Sequence, residues 1–218
     1  MERIIHQIWV GPYELPEREK YFIERVKKLN PSFKHILWTD KNLPELPENI
    51  KKCVDDFYKK CDYAHVADVL RIFLIKEFGG LYIDVDFKAL KKFDINIEIP
   101  ELFVCYHGGN DFTMPNGVIG CSKEGKIISY ICESINLDVN GWYGPSWLGL
   151  IVKKYLNLEY ETNHEITKEY CEKNNILYFL FPEFEKYFQH LALYSWSPEN
   201  VTNFKNGNIN YIDWKKDE

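Results

Sequence analysis

The chain has 218 residues, of which 45% are hydrophobic, 28% charged and 16% aromatic, and its formal net charge is −6. This composition is typical of a soluble globular protein, and the length predicts one sizeable core and hence a single domain over residues 1–218. The excess of acidic side chains argues against nucleic acid as a partner, because phosphate backbones are bound by clustered Lys and Arg.

Three features of the sequence bear on where the protein works: its apolar stretches, its first residues and its cysteines. No stretch is long and apolar enough to span a bilayer, and no signal peptide precedes the first strand-like run. The six cysteines include no Cys-x-x-Cys pair and no zinc-type spacing, which favours buried free thiols in a reducing compartment. The sequence therefore predicts a cytoplasmic protein.

The first quarter of the chain alternates predicted strands and helices. Arg3–Val10 is predicted as a strand, Glu17–Leu29 as an amphipathic helix, His35–Thr39 as a second strand, and a segment from about Asn49 to Cys61 as a second helix. This alternation predicts an α/β sheet with a substantial parallel part.

A third helix and a third strand follow directly. Asp62 is a favourable N-cap residue, and apolar residues at helical spacing continue to Phe78. Gly79-Gly80 is predicted to end the helix, since glycine suits the left-handed turn beyond a helix end. Leu81–Val85 then has the composition of a short strand.

Polar residues interrupt this apolar helix and strand. Asp68 and Arg71 lie three apart and share a helix face, while Tyr82, Asp84 and Asp86 share one strand parity and are predicted to point to the same side. Two crowded carboxylates repel each other, and a divalent cation such as Mn²⁺ or Mg²⁺ would remove that cost. The alternative is an ordinary helix ion pair beside an Asp-x-Asp that arose by chance.

The polar residues form a linked pattern at fixed spacing, Ala67-Asp68-x-x-Arg71 followed by Gly79-Gly80-x-Tyr82-x-Asp84-x-Asp86. This pattern resembles the signature of the sugar transferases with a "DXD" sugar-binding region, glycosyltransferase family 32, and more distantly that of the large clostridial toxin glucosyltransferase domain. The resemblance implies a GT-A type fold, which is a Rossmann-like α/β domain with a mixed central sheet that binds a nucleotide sugar.

The resemblance also implies roles for the residues of the pattern. Asp86 would contact the metal directly, and Asp84 would bridge the donor's ribose and the waters of the metal. Asp68 and Arg71 would hold the hydroxyls of the donor sugar, with Tyr82 packed beside them. The metal would be Mn²⁺ or Mg²⁺, and the anomeric configuration would be retained.

Other candidate site residues lie at strand ends. By resemblance, Trp9 would stack on the nucleotide base, the backbone near Ile8 would read the edge of the base, and Thr39 would border the nucleotide. Asn116 would face the donor sugar. The alternatives are a core tryptophan for Trp9 and a turn residue for Asn116.

The later part of the chain contains fewer signals. Leu102–Tyr106 and Ile176–Phe181 are predicted strands, whereas Ile127–Ile135 and a segment from Pro145 to about Tyr155 are predicted helices.

The C-terminal segment, residues 182–218, is expected to close over the site. By resemblance, His190 would complete the metal shell or touch the diphosphate, and Ser195 and Trp196 would lie over the diphosphate. Leu191 stands where family members commonly have a second His, so this part departs from the family pattern. A lone His such as His190 is otherwise a structural residue.

Together these features predict a metal-dependent glycosyltransferase. It would move a hexose from a UDP- or GDP-type donor to a glycan or lipid-linked acceptor in surface polysaccharide synthesis, with transient contact at the inner membrane face. The rival functions are a metal-dependent nucleotide-sugar or phosphoester hydrolase, which would use water as acceptor, and a non-catalytic carbohydrate-binding protein, which would not respond to metal.

Overall fold

The computed structural model describes residues 2–93, 101–106, 114–135, 143–157, 173–174, 176–180 and 186–190. These residues form eight strands and five helices. In chain order the elements are β1 (Ile4–Ile8), α1 (Glu17–Leu29), β2 (Lys34–Trp38), α2 (Glu48–Lys59), α3 (Tyr63–Phe78), β3 (Gly80–Ile83), β4 (Phe87–Ala89), β5 (Leu102–Tyr106), β6 (Val118–Cys121), α4 (Lys126–Glu133), α5 (Pro145–Tyr155), β7 (Ile176–Leu180) and β8 (Phe188–His190).

Six of these strands form one mixed sheet with the order β2-β1-β3-β6-β5-β7. Strand β1 is parallel to both β2 and β3, β6 is antiparallel to both β3 and β5, and β7 is parallel to β5. Strands β4 and β8 pair separately as an antiparallel ribbon. The predicted α/β class with a mixed central sheet is confirmed.

The sheet buries both faces. Its larger core contains residues of α2, α3, α4 and α5, including Val54, Leu70, Ile131 and Leu148, all 2% exposed or less. The smaller core, on the other face, joins Val26 of α1 to Ile5 and to Phe87 of β4. Burial on both sides explains why β3 reads as a nearly continuous apolar run instead of an alternating one.

Three short strands were absent from the sequence prediction, namely β4, β6 and β8. They contain three or four residues each, so side-chain alternation gives almost no signal over their length. The predicted strand Leu81–Val85 was also too long at its end. Strand β3 stops at Ile83, because the backbone turns at Val85 and Asp86.

The carboxyl ends of the parallel strands β1, β2 and β3 lie at the same edge of the sheet, which is where ligands of α/β proteins bind. The residues that follow these strands are Trp9, Thr39 and Asp84. In the described part of the chain, no helix is long and apolar enough to cross a membrane. The single-domain organisation with a closing segment at 182–218 stays a prediction, since 191–218 lie outside the described residues.

Candidate active site

Helix α3 supplies two of the predicted site residues. The Asp62 carboxylate caps the helix by accepting a hydrogen bond from the His65 backbone N–H at 3.3 Å. Within the helix, Arg71 Nη2 lies 3.2 Å from Asp68 Oδ1, and Arg71 is only 5% exposed. A buried guanidinium needs several partners, so this pair is more than a solvated surface contact.

Arg71 has further partners outside its own helix. Its Nη2 lies 3.3 Å from Asp84 Oδ1, and its Nη1 donates a hydrogen bond to the Asn116 carbonyl at 2.7 Å. The guanidinium also stands 4.6 Å from the centre of the Tyr82 ring. Arg71 thus joins α3, the end of β3 and the segment before β6 into one polar cluster.

Asn116 closes the other side of this cluster. Its side-chain Nδ2 donates to Asp68 Oδ1 at 2.7 Å, and the Tyr143 carbonyl lies 3.5 Å from the same nitrogen. Asn116 is 6% exposed. The two functional candidates, Asp68 and Asn116, are therefore in direct contact although they are 48 positions apart.

The end of β3 differs from the predicted geometry in one respect. Tyr82 donates its hydroxyl proton to Asp84 Oδ1, so these two side chains do share one side of the strand. Asp84 then starts a turn in which the Phe87 N–H donates to the Asp84 carbonyl at 3.3 Å. The prediction of extended backbone through Asp86 was wrong, because Asp86 lies within this turn. The Asp86 charge nevertheless acts on both Asp84 and Arg71.

Asp68 and Asp84 contact the Arg71 guanidinium here, and the Asp86 charge acts on it electrostatically. Burial raises the pKa of Asp84 to about 6, the Arg71 charge opposes this shift, and the Asp86 charge reinforces it. Burial also raises the pKa of Asp68. For Arg71 burial lowers the pKa, but the surrounding carboxylates outweigh burial and the pKa rises above its usual value. A divalent cation bound beside Asp84 and Asp86 would reduce the repulsion between their charges.

The donor atoms fit such a cation. Carboxylate oxygens are the preferred ligands of Mg²⁺ and suit Mn²⁺, and sites of this kind often use one or two carboxylates together with substrate phosphates and water. Among the residues that the structure describes, no group of three or more His, Cys, Asp or Glu side chains forms a metal cage. Asp84 and Asp86 would thus need ligands from the substrate, from water or from elsewhere in the chain.

His190, Ser195 and Trp196 are placed only in part. In the ribbon of β4 and β8, His190 pairs with Phe87, the residue directly after Asp86. This pairing places the His190 backbone beside the Asp84–Phe87 turn. Ser195 and Trp196 lie outside the described residues.

The nucleotide-side candidates lie at the ends of β1 and β2. The Trp9 N–H donates to the Trp38 carbonyl at 2.8 Å, and the indole N–H donates to the Tyr13 carbonyl at 2.8 Å. Ile8 is 4% exposed and packs in the larger core, so only its backbone is available to a ligand. The Thr39 N–H donates to Asn42 Oδ1 at 2.6 Å. These residues share the sheet edge with Asp84 but belong to separate contacts.

Sequence reasoning missed two contributors to the polar cluster. Gly117 leaves room for the Asp84 carboxylate, since an added Cβ would lie 2.7 Å from Asp84 Oδ2. The backbone carbonyl of Tyr143, and not its hydroxyl, faces Asn116. The Asn116-Gly117 dipeptide is a recognisable turn signal, whereas a backbone carbonyl contact leaves no trace in the sequence.

A mixed α/β sheet with this polar cluster at its edge is the arrangement of the GT-A fold. In agreement, the solved structure named PaToxG Glycosyltransferase shares the fold, with a TM-score of 0.60 and 17% identity over 72% of this chain and 70% of that chain. The predicted fold class is confirmed.

A family model also matches part of the chain. Residues 16–103, which contain Asp68, Arg71, Asp84 and Asp86, match the family described as glycosyltransferase sugar-binding region containing DXD motif, the kind of family that the sequence pattern resembles. The matching family and the relatives below are described as glycosyltransferases, which supports the predicted class of enzyme.

Two relatives illustrate the range of the family. The chain is 32% identical over 141 residues to an uncharacterized glycosyltransferase of Acanthamoeba polyphaga mimivirus, and this match covers 63% of this chain and 56% of the relative. It is 26% identical over 164 residues to a mannosyl phosphorylinositol ceramide synthase of Saccharomyces cerevisiae, and that match covers 70% of this chain and 42% of the relative. The chain thus matches about half the length of these relatives or less.

Proposed function

We propose that this chain transfers a hexose from a nucleotide-sugar donor to a glycan or lipid-linked acceptor in a metal-dependent reaction. The observation that carries the proposal is the buried contact of Arg71 with Asp68, Asp84 and the Asn116 carbonyl. Buried charges are costly, and a cluster of them at the ligand-binding edge of an α/β sheet favours a functional role.

The donor sugar would be held by Asp68, Arg71 and Asn116. Their hydrogen bonds to one another fix the side chains before a ligand binds, so little side-chain conformational entropy is lost on binding. Ionised partners also make the strongest hydrogen bonds to sugar hydroxyls. Tyr82 stabilises this arrangement through the contact of its ring with the Arg71 guanidinium.

The leaving diphosphate would lie beside Asp84 and Asp86. When bound there, Mn²⁺ or Mg²⁺ supplies Lewis-acid stabilisation of the negative charge that develops on the diphosphate. Asp84 must be ionised to act as a ligand, and Arg71 supports that state. The acceptor hydroxyl attacks the anomeric carbon from the face that the diphosphate leaves, and the bond between this carbon and the diphosphate breaks as the new glycosidic bond forms. Attack from this face retains the anomeric configuration. The hydroxyl proton passes to a diphosphate oxygen.

The nucleotide base would stack on Trp9, beside the backbone of Ile8 and near Thr39. For the acceptor, the name of the yeast relative denotes mannosyl transfer to a phosphorylinositol ceramide, which favours a lipid-linked acceptor as well as a glycan. An enzyme with such an acceptor would contact a membrane surface during turnover.

The proposal is tested by measuring thermal unfolding with UDP-, GDP- and CMP-sugars in the presence and absence of Mn²⁺. A ligand that binds only the native state raises the midpoint, so one nucleotide is expected to give a shift that requires metal. Asp86→Asn should remove the metal-dependent part of this shift and leave the ligand-free midpoint unchanged.

Asp56→Asn serves as the matched control, because Asp56 is an acidic residue on α2 that pairs with Lys59 at the surface. It should preserve the full shift. An Asp86→Asn protein that keeps the metal-dependent shift would contradict the metal assignment. Donor turnover that ignores every added acceptor would instead favour the hydrolase.

A further inference from the structure

Asp40, in the turn after β2, ties together three parts of the chain. Its Oδ2 accepts a hydrogen bond from the Gly11 N–H at 2.9 Å, and its Oδ1 accepts one from the Tyr58 hydroxyl. Gly11 lies just after β1, and Tyr58 lies in the last turn of α2. Each carboxylate oxygen accepts one hydrogen bond, so Asp40 holds Gly11 and Tyr58 at the same time. We call Gly11, Asp40, Tyr58 and Tyr63 the Asp40 latch.

Gly11 fits this latch only as glycine. Its φ is +99°, and an added Cβ would lie 2.8 Å from the Tyr63 ring. The Tyr63 ring therefore packs directly on the Gly11 backbone. It is also edge-on to Tyr58, with ring centres 5.9 Å apart, and to Tyr13, at 6.3 Å. The latch thus fixes the segment after β1 from one side by hydrogen bonding and from the other by ring packing.

The segment fixed in this way contains the residues that orient Trp9. Tyr13, whose carbonyl accepts the Trp9 indole N–H, is two residues beyond Gly11. The Trp9 backbone is held independently by the Trp38 carbonyl. Loss of the latch would therefore free the Tyr13 carbonyl and the Trp9 ring while leaving the β1–β2 pairing in place.

We propose that Asp40 is a positioning residue for nucleotide binding, because it holds the Gly11–Tyr13 segment so that the Trp9 ring is ready to stack on the base of the donor. Asp40 itself does not touch the donor. The inference rests on the proposed function, since it requires a nucleotide to occupy the sheet edge beside Trp9. It adds a determinant of donor affinity that lies outside the Asp-x-Asp region.

The hydrogen-bond donors of the latch persist over the pH range of an assay. Burial and then the hydrogen bond to Asp40 raise the pKa of Tyr58 well above its usual value, so its hydroxyl stays protonated. Asp40 is exposed to solvent, and water can replace its partners when the latch is broken. The latch should therefore affect the order of the Trp9 segment more than global stability.

The inference is tested with Asp40→Ala and Tyr58→Phe, titrated with UDP and GDP in saturating Mn²⁺ by calorimetry. Two hydrogen bonds to a carboxylate are lost in the first variant and one in the second. Nucleotide affinity is expected to fall about tenfold in Asp40→Ala and less in Tyr58→Phe. With the full donor, KM should rise while kcat changes little, because the latch acts on binding and not on the leaving group.

Trp9 fluorescence distinguishes a local change around Trp9 from a general loss of folded structure. The Trp9 component is obtained by subtracting the spectrum of Trp9→Phe, and in Asp40→Ala it should shift to longer wavelength while the thermal midpoint stays within a few degrees. Asp56→Asn, an acidic surface variant on the same helix as Tyr58, should behave as wild type in each measurement.

The outcomes separate two failures. If wild-type protein binds neither UDP nor GDP, the proposed function fails and this inference with it. If wild-type protein binds a nucleotide and Asp40→Ala binds it equally well, only the inference is overturned. A loss of affinity that merely follows a loss of folded protein, with an unshifted Trp9 spectrum, would also overturn it.

Discussion

At the scale of single residues, the geometry of Asp84 depends on a neighbour without a side chain. The Asp84 N–H donates to the Gly117 carbonyl at 2.7 Å, which brings the two backbones close together. Little space is left between Gly117 and the Asp84 carboxylate. Gly117 thus shapes the candidate site although it has no side chain.

Gly117→Ala is expected to weaken Mn²⁺ binding. The new Cβ would lie 2.7 Å from Asp84 Oδ2 and 3.0 Å from the Phe87 ring, so the carboxylate must move. Displacing a metal ligand through its neighbours typically lowers metal affinity about tenfold or more. Gly144→Ala is the control, because its Cβ would stand 3.8 Å from Asp68 Oδ2, an ordinary contact. Calorimetric titration with Mn²⁺ measures both, and equal affinities would contradict the prediction.

Much of this site could be predicted from sequence, because spacing on regular elements determines which side chains are neighbours. Asp68 and Arg71 share a helix face, and Tyr82 and Asp84 share a strand side, as their spacing indicated. The turn at Val85 and Asp86 was missed because Val85 is a strand-forming residue, and no local signal indicates that the backbone turns there. Asp84, which begins this turn, donates a backbone hydrogen bond to Gly117, a residue far away in the chain.

At the scale of elements, the connection between α3 and β3 determines where the site lies. Gly79 has φ of +63° and ends the helix, and Gly80 has φ of +98° and begins the strand. An added Cβ at Gly80 would lie only 2.5 Å from the Ile4 carbonyl of β1. The close approach of the two backbones lets β3 pair with β1 and carry Asp84 to the sheet edge.

Gly80→Ala should therefore lower the free energy of unfolding by about 2–4 kcal/mol, from the unfavourable φ and the clash with β1 combined. Gly125→Ala is the matched control, since Gly125 has a negative φ of −56° and its Cβ would meet its nearest neighbours at 3.3 Å. That variant should cost less than about 1 kcal/mol. Urea unfolding followed by circular dichroism compares the two, and similar losses would refute the argument.

The elements themselves were predictable in proportion to their length. Helices α1, α2 and α3 were predicted within one or two residues, because several turns of apolar spacing and clear end signals define them. Strand β6 was not predicted, because Val118–Cys121 is short and contains a glycine. Its place between β3 and β5 is determined by long-range pairing, which no local pattern encodes.

At the scale of the whole molecule, His6 ties the centre of the sheet to its neighbours. Its Nε2–H donates to the Gly79 carbonyl at 2.8 Å, and its Nδ1 accepts from the Trp38 indole N–H at 3.0 Å. Both ring nitrogens are therefore used by the neutral imidazole. Burial lowers the pKa of His6 to about 4. Protonation of Nδ1 would break the Trp38 contact and place a charge in the core.

His6 should consequently contribute a loss of stability in mild acid. It has a pKa near 6.5 in the unfolded chain and about 4 in the folded chain, so the unfolded state binds more protons at this group between these values. The His6 contribution to the free energy of unfolding is expected to fall by up to about 3 kcal/mol as the pH drops from about 6.5 to about 4. The raised pKa of Asp84 has the opposite sign, so the net change is smaller than the His6 contribution.

Urea unfolding at several pH values, compared with His6→Gln, isolates this contribution. The variant should be less stable at pH 7, but its stability should decline less steeply with acid, because it has no imidazole to protonate. Parallel declines for the two proteins would show that the acid sensitivity comes from other groups.

The burial of α3 determines how rigid the candidate site is before a ligand binds. Eight residues of this helix are buried, including Arg71 and the run from Val69 to Ile75. Local unfolding of the helix would expose these residues to water and is therefore costly. Asp68 and Arg71 therefore keep their places before a ligand binds, and their side chains would lose little conformational entropy on binding one. Adaptation to different acceptors would have to come from segments that pack less tightly than α3.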